Sequence, residues 1–325
     1  MAQIFDGQIR FGVHAGPQNT GYADYVRLWQ TAEASGYDWA SVFDHFIPIQ
    51  SDPRGPCFEG PTLLAAMAAQ TSRLRCGILV VGNTYRHPAV QANIAATLDH
   101  ISGGRLEWGV GAGWWELEHQ EYHIPFHTTG RRIRMLAESA RVQKLLWTQP
   151  RATFEGRYYQ LTDALCEPKP LQDPLPLWIG GMGERLTLRA VAESADGWNT
   201  FLMPVEAYHH KLDVLAEHCA AVGRDPRDIR KSLAFGAVVG ETEAAARERV
   251  EQVARAMNLP PETVRDRVLV GMPEQAAERL LRYVELGVGD FLVTTRAPFD
   301  YETLRLFIER VAPPVRQEAG RLARS

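Results

Sequence analysis

An aspartate and a histidine stand side by side at the end of an apolar segment, in "DWASVFDHF" at residues 38–46. Histidine titrates near neutral pH and a neighbouring carboxylate can orient it, so Asp44 and His45 could act as a proton-transfer pair. Adjacent side chains of a strand face opposite sides, so both reach one site only if the strand ends before them. Asp44 could instead cap a turn while His45 fills a polar corner, and the pattern leaves both interpretations open.

A glycine-rich turn lies between an apolar run and a helical pattern in "PLWIGGMGERLTLRAVAESADGWN", residues 176–199. Gly180, Gly181 and Gly183 surround Met182 there, and Arg185 adds a positive charge. Free N–H groups and the helix dipole at such a turn attract anions. A tight turn alone would also need glycine, but three glycines exceed what one turn requires. The pattern therefore favours a phosphate site.

A second glycine cluster, "GVGAGWW" at residues 109–115, contains Gly111, Gly113 and Trp114. A GxGxG after a strand can indicate a dinucleotide-binding turn, but no apolar helix opens directly after this one. Glycines that form a wide turn at the rim of a barrel are the favoured interpretation.

Two histidines four residues apart, His119 and His123, could bind zinc from one face of a helix. The metalloprotease pattern needs glutamate directly after the first histidine, where Gln120 stands, and Pro125 interrupts the segment. We therefore expect no metal site and interpret these histidines as rim residues.

Eight strand-like segments alternate strictly with at least eight helical ones, which predicts a parallel sheet with helical crossovers. Eight such units favour a closed (β/α)8 TIM barrel, here as a single domain over residues 1–325. We expect a Pro-rich insertion around residues 149–176 to be an irregular loop packed over the barrel. The predicted strands are 9–14, 38–46, 74–83, 105–113, 177–181, 197–202, 229–240 and 290–296.

Composition narrows the class of protein further. The chain has 325 residues, a net charge of -4 and no basic stripe, which argues against nucleic acid as a partner. No apolar run is long enough for a bilayer, and the first residues do not resemble a signal peptide, so we expect a cytoplasmic protein without membrane contact. The four cysteines are scattered and indicate neither disulfides nor zinc.

Four segments occurring in order carry a resemblance: "GNTYRHPAV", "LDHISGGRLEWGVGAGW", "FEGRYY" and "PLPLWIGGMGERLTLRAVAESADGWN". Together they resemble the luciferase-like monooxygenase superfamily, and more narrowly its actinobacterial branch of coenzyme F420-dependent oxidoreductases. The resemblance runs from the first strand to the last barrel helix. It implies a (β/α)8 barrel with an insertion and a flavin or deazaflavin in the barrel mouth.

The resemblance also implies roles for particular residues. His45 would transfer a proton beside the ring, with Asp44 next to it, and a non-prolyl cis peptide would fall at Leu79–Val80. The cofactor-binding residues would be Leu79, Val80, Asn83, Gly111, Gly113, Trp114, Gly180, Gly181, Met182, Gly183 and Arg185.

The expected activity is hydride transfer between coenzyme F420 and a small organic substrate. The alternative is a monooxygenase that uses reduced FMN and oxygen. Arg54, Arg86 and Arg185 would suit the polyanionic tail of F420 and would be surplus for FMN. Sugar-phosphate dehydrogenases of this branch carry a glutamate where Trp114 stands, so we expect a flatter, more apolar substrate. The resemblance further implies a homodimer.

Overall fold

Eight parallel strands form a closed barrel in the computed structural model, which describes residues 8–50, 52–257 and 260–323. The strands are β1 (Arg10–Ala15), β2 (Trp39–Val42), β3 (Arg75–Gly82), β4 (Leu106–Gly111), β5 (Ala152–Glu155), β6 (Gln160–Ala164), β7 (Leu177–Gly180), β8 (Gly197–Phe201), β9 (Arg230–Val239), β10 (Val268–Gly271) and β11 (Asp290–Thr295). The barrel strands pair in the cycle β1-β2-β3-β4-β7-β8-β9-β11, which closes where β11 pairs with β1. The predicted TIM barrel is therefore confirmed.

Helices cover the outside of the barrel between successive strands. Several begin at a proline, which fits the first helical turn because its missing N–H has no partner there. No helix among the described residues is both long and apolar enough to cross a membrane. The helices are α1 (Tyr22–Ala34), α2 (Gly60–Gln70), α3 (Pro88–Ser102), α4 (Glu116–Glu121), α5 (Thr129–Thr148), α6 (Thr187–Ser194), α7 (Val205–Ala221), α8 (Glu243–Met257), α9 (Pro261–Arg267), α10 (Pro273–Val284), α11 (Tyr301–Leu306) and α12 (Ala312–Leu322), with short turns of 3₁₀-helix at Pro226–Asp228 and of π-helix at Phe307–Val311.

Apolar side chains fill both faces of the barrel strands, as parallel strands require. The larger core lies between strands and helices. A smaller cluster fills the interior of the barrel, where Trp39 stacks on Trp178 beside Leu79 and Leu292. These bulky side chains make the barrel a packed scaffold rather than a pore.

Charged residues close the amino-terminal end of the barrel. The buried Glu107 accepts hydrogen bonds from Arg10 Nη1 at 2.6 Å, Arg75 Nε at 2.5 Å and Trp178 Nε1 at 2.6 Å. Burial alone would raise the pKa of Glu107, but Arg10 and Arg75 outweigh it and hold that pKa below the usual range. This network stabilises the end of the barrel opposite the predicted site.

The structure corrects three sequence-based expectations. The segment 149–176 is not irregular throughout, because β5 and β6 form an antiparallel hairpin whose Ala152 and Leu161 are buried in the core. β2 ends at Val42 rather than at residue 46, so Asp44 and His45 lie in the loop after it. The short β10, which pairs with β9 outside the closed cycle, was not predicted.

Candidate active site

His45 lies at the carboxyl end of the barrel, in the loop that follows β2. Its Nδ1 is 2.7 Å from Oε2 of Glu118, and the residue is 7% exposed. The ring contacts Phe43 and Trp114 edge-on, with centroids 5.3 and 5.7 Å away. Within the described part of the chain, Nε2 has no hydrogen-bond partner, so one ring nitrogen is held by a carboxylate and the other is available.

Glu118, on the short helix α4, is the centre of the hydrogen bonds around His45. Its fully buried carboxylate also accepts from the Tyr85 hydroxyl and from the N–H groups of Phe46 and Ile47, the last at 2.9 Å. Burial would raise the pKa of Glu118, but the hydrogen bonds from His45 and Tyr85 outweigh it and keep that pKa below the usual range. An ionised Glu118 therefore orients the imidazole and the loop at once.

Asp44 makes no hydrogen bond to that pair among the described residues, and its side chain is instead held by Arg86. The buried carboxylate accepts from Arg86 Nη1 at 2.6 Å and Nη2 at 3.1 Å, and from the Gly82 N–H at 3.2 Å. Burial raises the pKa of Asp44, and Arg86 opposes that rise. Arg86 also pairs with Glu59. Asp44 thus ties the end of β2 to the end of β3, and its predicted catalytic role stays a prediction.

Val80 lies at the centre of the barrel mouth, where it is half-buried. The peptide bond between Leu79 and Val80 is cis, at the position that the resemblance implies. A Cβ atom on Gly111 would approach Val80 Cγ2 to 2.4 Å, and one on Gly180 would approach Val80 Cγ1 to 2.8 Å. These two glycines therefore make room for Val80, which forms an apolar floor in the mouth.

The turn from β7 into α6 is the predicted phosphate site, which we name the anion cradle. Gly181 has φ of +138°, a conformation that other residues rarely adopt. The N–H groups of Met182 and Gly183 donate to no other described residue. A Cβ on Gly183 would lie 2.8 Å from Thr187 Oγ1, and that hydroxyl also has no hydrogen-bond partner in the described ranges. Two N–H groups and one hydroxyl without a protein partner therefore lie in the turn that leads into α6, and the start of a helix favours an anion.

The arginines predicted for an anionic tail differ in availability. Arg185 is exposed and makes no ion pair with any described residue. Arg86 is engaged by Asp44, and Arg54 pairs with Asp52 at 3.5 Å while remaining 90% exposed. Arg86 therefore does not suit the role assigned to it.

The remaining predicted residues lie around the same mouth. Asn83 is buried, and its Nδ2 is 3.1 Å from the Tyr159 hydroxyl. Gly113 has φ of +73°, and a Cβ there would lie 2.6 Å from Thr84 Oγ1. Trp114 is 60% exposed beside His45. Their roles as cofactor-binding residues stay predictions. Glu118, the carboxylate partner of His45, was not among the residues predicted from the sequence.

His119 shows why the histidine pair after β4 does not resemble a metal site. Its Nδ1 is 2.7 Å from the Trp115 carbonyl oxygen, and its Nε2 is 2.7 Å from Thr84 Oγ1. Both nitrogens are therefore engaged in holding the rim. The described residues contain no group of three or more histidine, cysteine, aspartate or glutamate side chains that could hold a metal ion.

Comparison with known proteins decides the family. The model of the luciferase-like monooxygenase family matches residues 7–258. The chain belongs to the luciferase-like monooxygenase family. A protein of Mycobacterium tuberculosis described as uncharacterized is 32% identical over 78% of this chain and 89% of its own length. The F420-dependent glucose-6-phosphate dehydrogenase of Nakamurella multipartita is 29% identical over 96% of this chain and 98% of its own length.

Solved structures share the fold of this chain. An F420-dependent secondary alcohol dehydrogenase, in complex with an F420-acetone adduct, superposes with a TM-score of 0.82 and 21% identity over 95% of this chain and 99% of its own. The oxygenating constituent of 3,6-diketocamphane monooxygenase of Pseudomonas putida, in complex with FMN, superposes with a TM-score of 0.74 and 18% identity. This match covers 95% of this chain and 99% of the monooxygenase chain. Both deazaflavin and flavin proteins therefore use this barrel.

Proposed function

We propose that this chain is an oxidoreductase that transfers a hydride between coenzyme F420 and a small alcohol or carbonyl substrate. The observation that carries the proposal is the His45–Glu118 pair. It places a ring nitrogen without a protein partner at the mouth of the barrel. The naming of curated relatives as F420-dependent dehydrogenases supports the choice of cofactor.

The residues at the mouth fit a deazaflavin cofactor with a phosphate. Val80 supplies an apolar surface for a flat ring, and the turn with Gly181 and Gly183 supplies free N–H groups for a phosphate. When bound, F420 gives or accepts the hydride. We propose that Asn83 and Trp114 complete the wall around the ring.

His45 would handle the proton that accompanies the hydride. Because Glu118 is ionised and lies 2.7 Å from Nδ1, it favours the tautomer with the proton on that nitrogen. Nε2 then carries a lone pair and accepts the hydroxyl proton when an alcohol is oxidised, or returns it when a carbonyl is reduced. Glu118 orients the base, and Asp44 positions the loop through Arg86.

The side chains around His45 favour an apolar substrate. Trp114, which is 60% exposed, and Phe43 flank the imidazole. The resemblance implies that the sugar-phosphate dehydrogenases carry an acid at the position of the Trp114 indole. We therefore propose a flat or aromatic alcohol or ketone rather than a phosphorylated sugar.

Titration of the purified protein with F420 and with FMN, side by side, tests the cofactor. The Gly181→Asp variant places a negative charge in the cradle, while Gly181→Asn carries the same backbone strain without the charge. We expect tight F420 binding and a loss in Gly181→Asp that exceeds the loss in Gly181→Asn by about tenfold or more. Preference for FMN would instead favour the oxygen-using monooxygenase, and binding of neither would refute both functions.

A panel of alcohols and ketones then tests the reaction. Oxidised F420 is mixed with each alcohol, reduced F420 with each ketone, and the deazaflavin absorbance is followed. We expect turnover with apolar members, none with glucose 6-phosphate, and loss of turnover without loss of F420 binding in His45→Ala. Turnover of the sugar phosphate alone would contradict the substrate class.

Two further expectations remain proposals. We propose a homodimer, which light scattering of the purified chain measures directly. We propose a cytoplasmic location, which fits a reaction that uses a diffusible cofactor and which fractionation of cells would test.

A further inference from the structure

A groove of about 380 Å³ lies on the outer surface between α5, α6 and the β5–β6 hairpin. Arginine side chains dominate its charge, although the whole chain carries a net charge of -4. We name it the arginine groove. Its charged lining residues are Arg134, Arg141, Arg157, Arg189, Glu138 and Glu193.

The two carboxylates of this groove, Glu138 and Glu193, already have hydrogen-bond or ion-pair partners. Glu138 is buried, and its oxygens accept from the backbone N–H groups of Arg157 and Tyr158 at 2.9 and 2.8 Å. Glu193 pairs with Arg189 along the same helix at 2.8 Å. Neither carboxylate neutralises another arginine of the groove.

Three arginines are left without a carboxylate in the described part of the chain. Arg134, Arg141 and Arg157 are exposed and make no ion pair there. Arg134 Nε instead lies 3.3 Å from the Tyr158 hydroxyl, Arg157 lies over the Tyr158 ring and Arg141 over the Phe154 ring. These contacts hold the side chains in place while their charge stays available to an anion.

The groove adjoins the barrel mouth at two points. Leu186, which lines it, follows Gly183 of the anion cradle by three residues. Tyr158 also lines it, and the next residue, Tyr159, contacts Asn83 at the end of β3. A ligand whose phosphate lay in the cradle could continue into the groove without crossing the barrel.

We infer that the arginine groove binds the carboxylate tail that continues beyond the phosphate of F420. The inference rests on the proposed function and adds a second site for the same cofactor. FMN ends at its phosphate, so the groove selects the deazaflavin over FMN by charge. The free arginines, rather than Arg54 or Arg86, then supply the contacts to the tail.

Titration with two forms of the cofactor tests this inference. Intact F420 and F420 trimmed of its glutamates are each titrated against the full-length protein and followed by fluorescence. We compare the wild type, Arg134→Gln/Arg157→Gln, and a control, Arg151→Gln/Arg227→Gln, that removes two exposed, ion-paired arginines outside the groove.

We expect the groove variant to bind intact F420 about tenfold more weakly than the wild type does. Its Kd for the trimmed form should stay within about twofold of the wild-type value. The control variant should bind both forms with the wild-type Kd. The advantage of the intact form should shrink at high salt. Equal wild-type affinity for both forms, or equal losses in the groove variant and the control, would overturn the inference and leave the proposed function standing. If neither intact nor trimmed F420 bound to the wild type, both the inference and the proposed function would be overturned.

Discussion

Replacement of Glu118 by glutamine tests the proposed proton route most directly. The amide keeps an oxygen that can accept from the loop N–H groups, but it presents an NH₂ group to His45 Nδ1. That nitrogen, now facing a donor, must accept, so the ring proton moves to Nε2 and the lone pair needed for the base is lost. The change removes the orienting charge with almost no change in volume.

The size of the effect follows from the burial of this pair. The Glu118 side chain is fully buried and its bond to His45 is 2.7 Å long. A charge-assisted hydrogen bond in such a place contributes about 2–3 kcal/mol, which corresponds to about 30- to 150-fold in rate. We therefore expect kcat to fall by that factor while the Kd for F420 changes by about twofold or less.

Two assays check this prediction. Nitrogen-15 NMR of histidine-labelled protein should show the Nδ1–H tautomer of His45 in the wild type and the Nε2–H tautomer in Glu118→Gln, and the rate is measured with the best substrate of the panel. Tyr85→Phe is the matched control, because it removes another donor to the same carboxylate and leaves the bond to His45. We expect less than about fivefold loss there. An Nε2–H tautomer in the wild type, or an unchanged rate in Glu118→Gln, would refute the reasoning.

Three further predictions concern stability, each measured by urea unfolding. Gly111→Ala should cost about 1–3 kcal/mol, because the new Cβ would meet Val80 Cγ2 at 2.4 Å. Glu107→Gln should cost about 3 kcal/mol or more, because Arg10 would be left buried with one carboxylate fewer. Burial lowers the pKa of His14 to about 4, so the unfolded chain binds a proton at this site below about pH 6.5 that the folded chain does not. The free energy of unfolding should therefore fall by about 2 kcal/mol between pH 6.5 and pH 5. Over the same range, the free energy of unfolding of His14→Asn should fall by about 2 kcal/mol less than that of the wild type.

Each of these predictions has an outcome that contradicts it. Gly21→Ala is the control for the first, since a Cβ there comes no closer than 3.9 Å to any neighbour. Equal losses at Gly21 and Gly111 would show that the contact with Val80 is not the cause. An unaltered free energy of unfolding in Glu107→Gln would mean that the charged network does not stabilise the fold. A pH dependence of stability in His14→Asn identical to that of the wild type would exclude His14 as the source of that dependence.

The barrel could be predicted because its signal is repeated eight times. Each apolar strand is followed by an amphipathic helix, and errors at single boundaries do not change the count. The hairpin of β5 and β6 was missed because its strands are four and five residues long and half-exposed, so neither shows a continuous apolar run. The end of β2 was misplaced because Phe43 and Phe46 are aromatic residues typical of a strand, although the pairing of β2 has already stopped at Val42.

Glu118 could not be predicted from local sequence. It lies 73 residues from His45 along the chain, on a helix that also carries Glu116 and Glu121. All three have the same chemistry, and only burial distinguishes them: Glu118 is fully buried, whereas its neighbours face outward. That difference depends on how α4 packs against the loop after β2, which no pattern within either segment encodes.

The glycines at the mouth show how one motif can combine two physical requirements. Gly180 and Gly181 are adjacent, yet a side chain at Gly180 would strike Val80, whereas Gly181 has φ of +138° and precedes two N–H groups without a partner among the described residues. The first requirement comes from packing inside the protein and would exist without any ligand. Only the second bears on an anion. A charge placed at Gly181 therefore tests the cofactor, while a change at Gly180 mainly tests the floor on which the ring would rest.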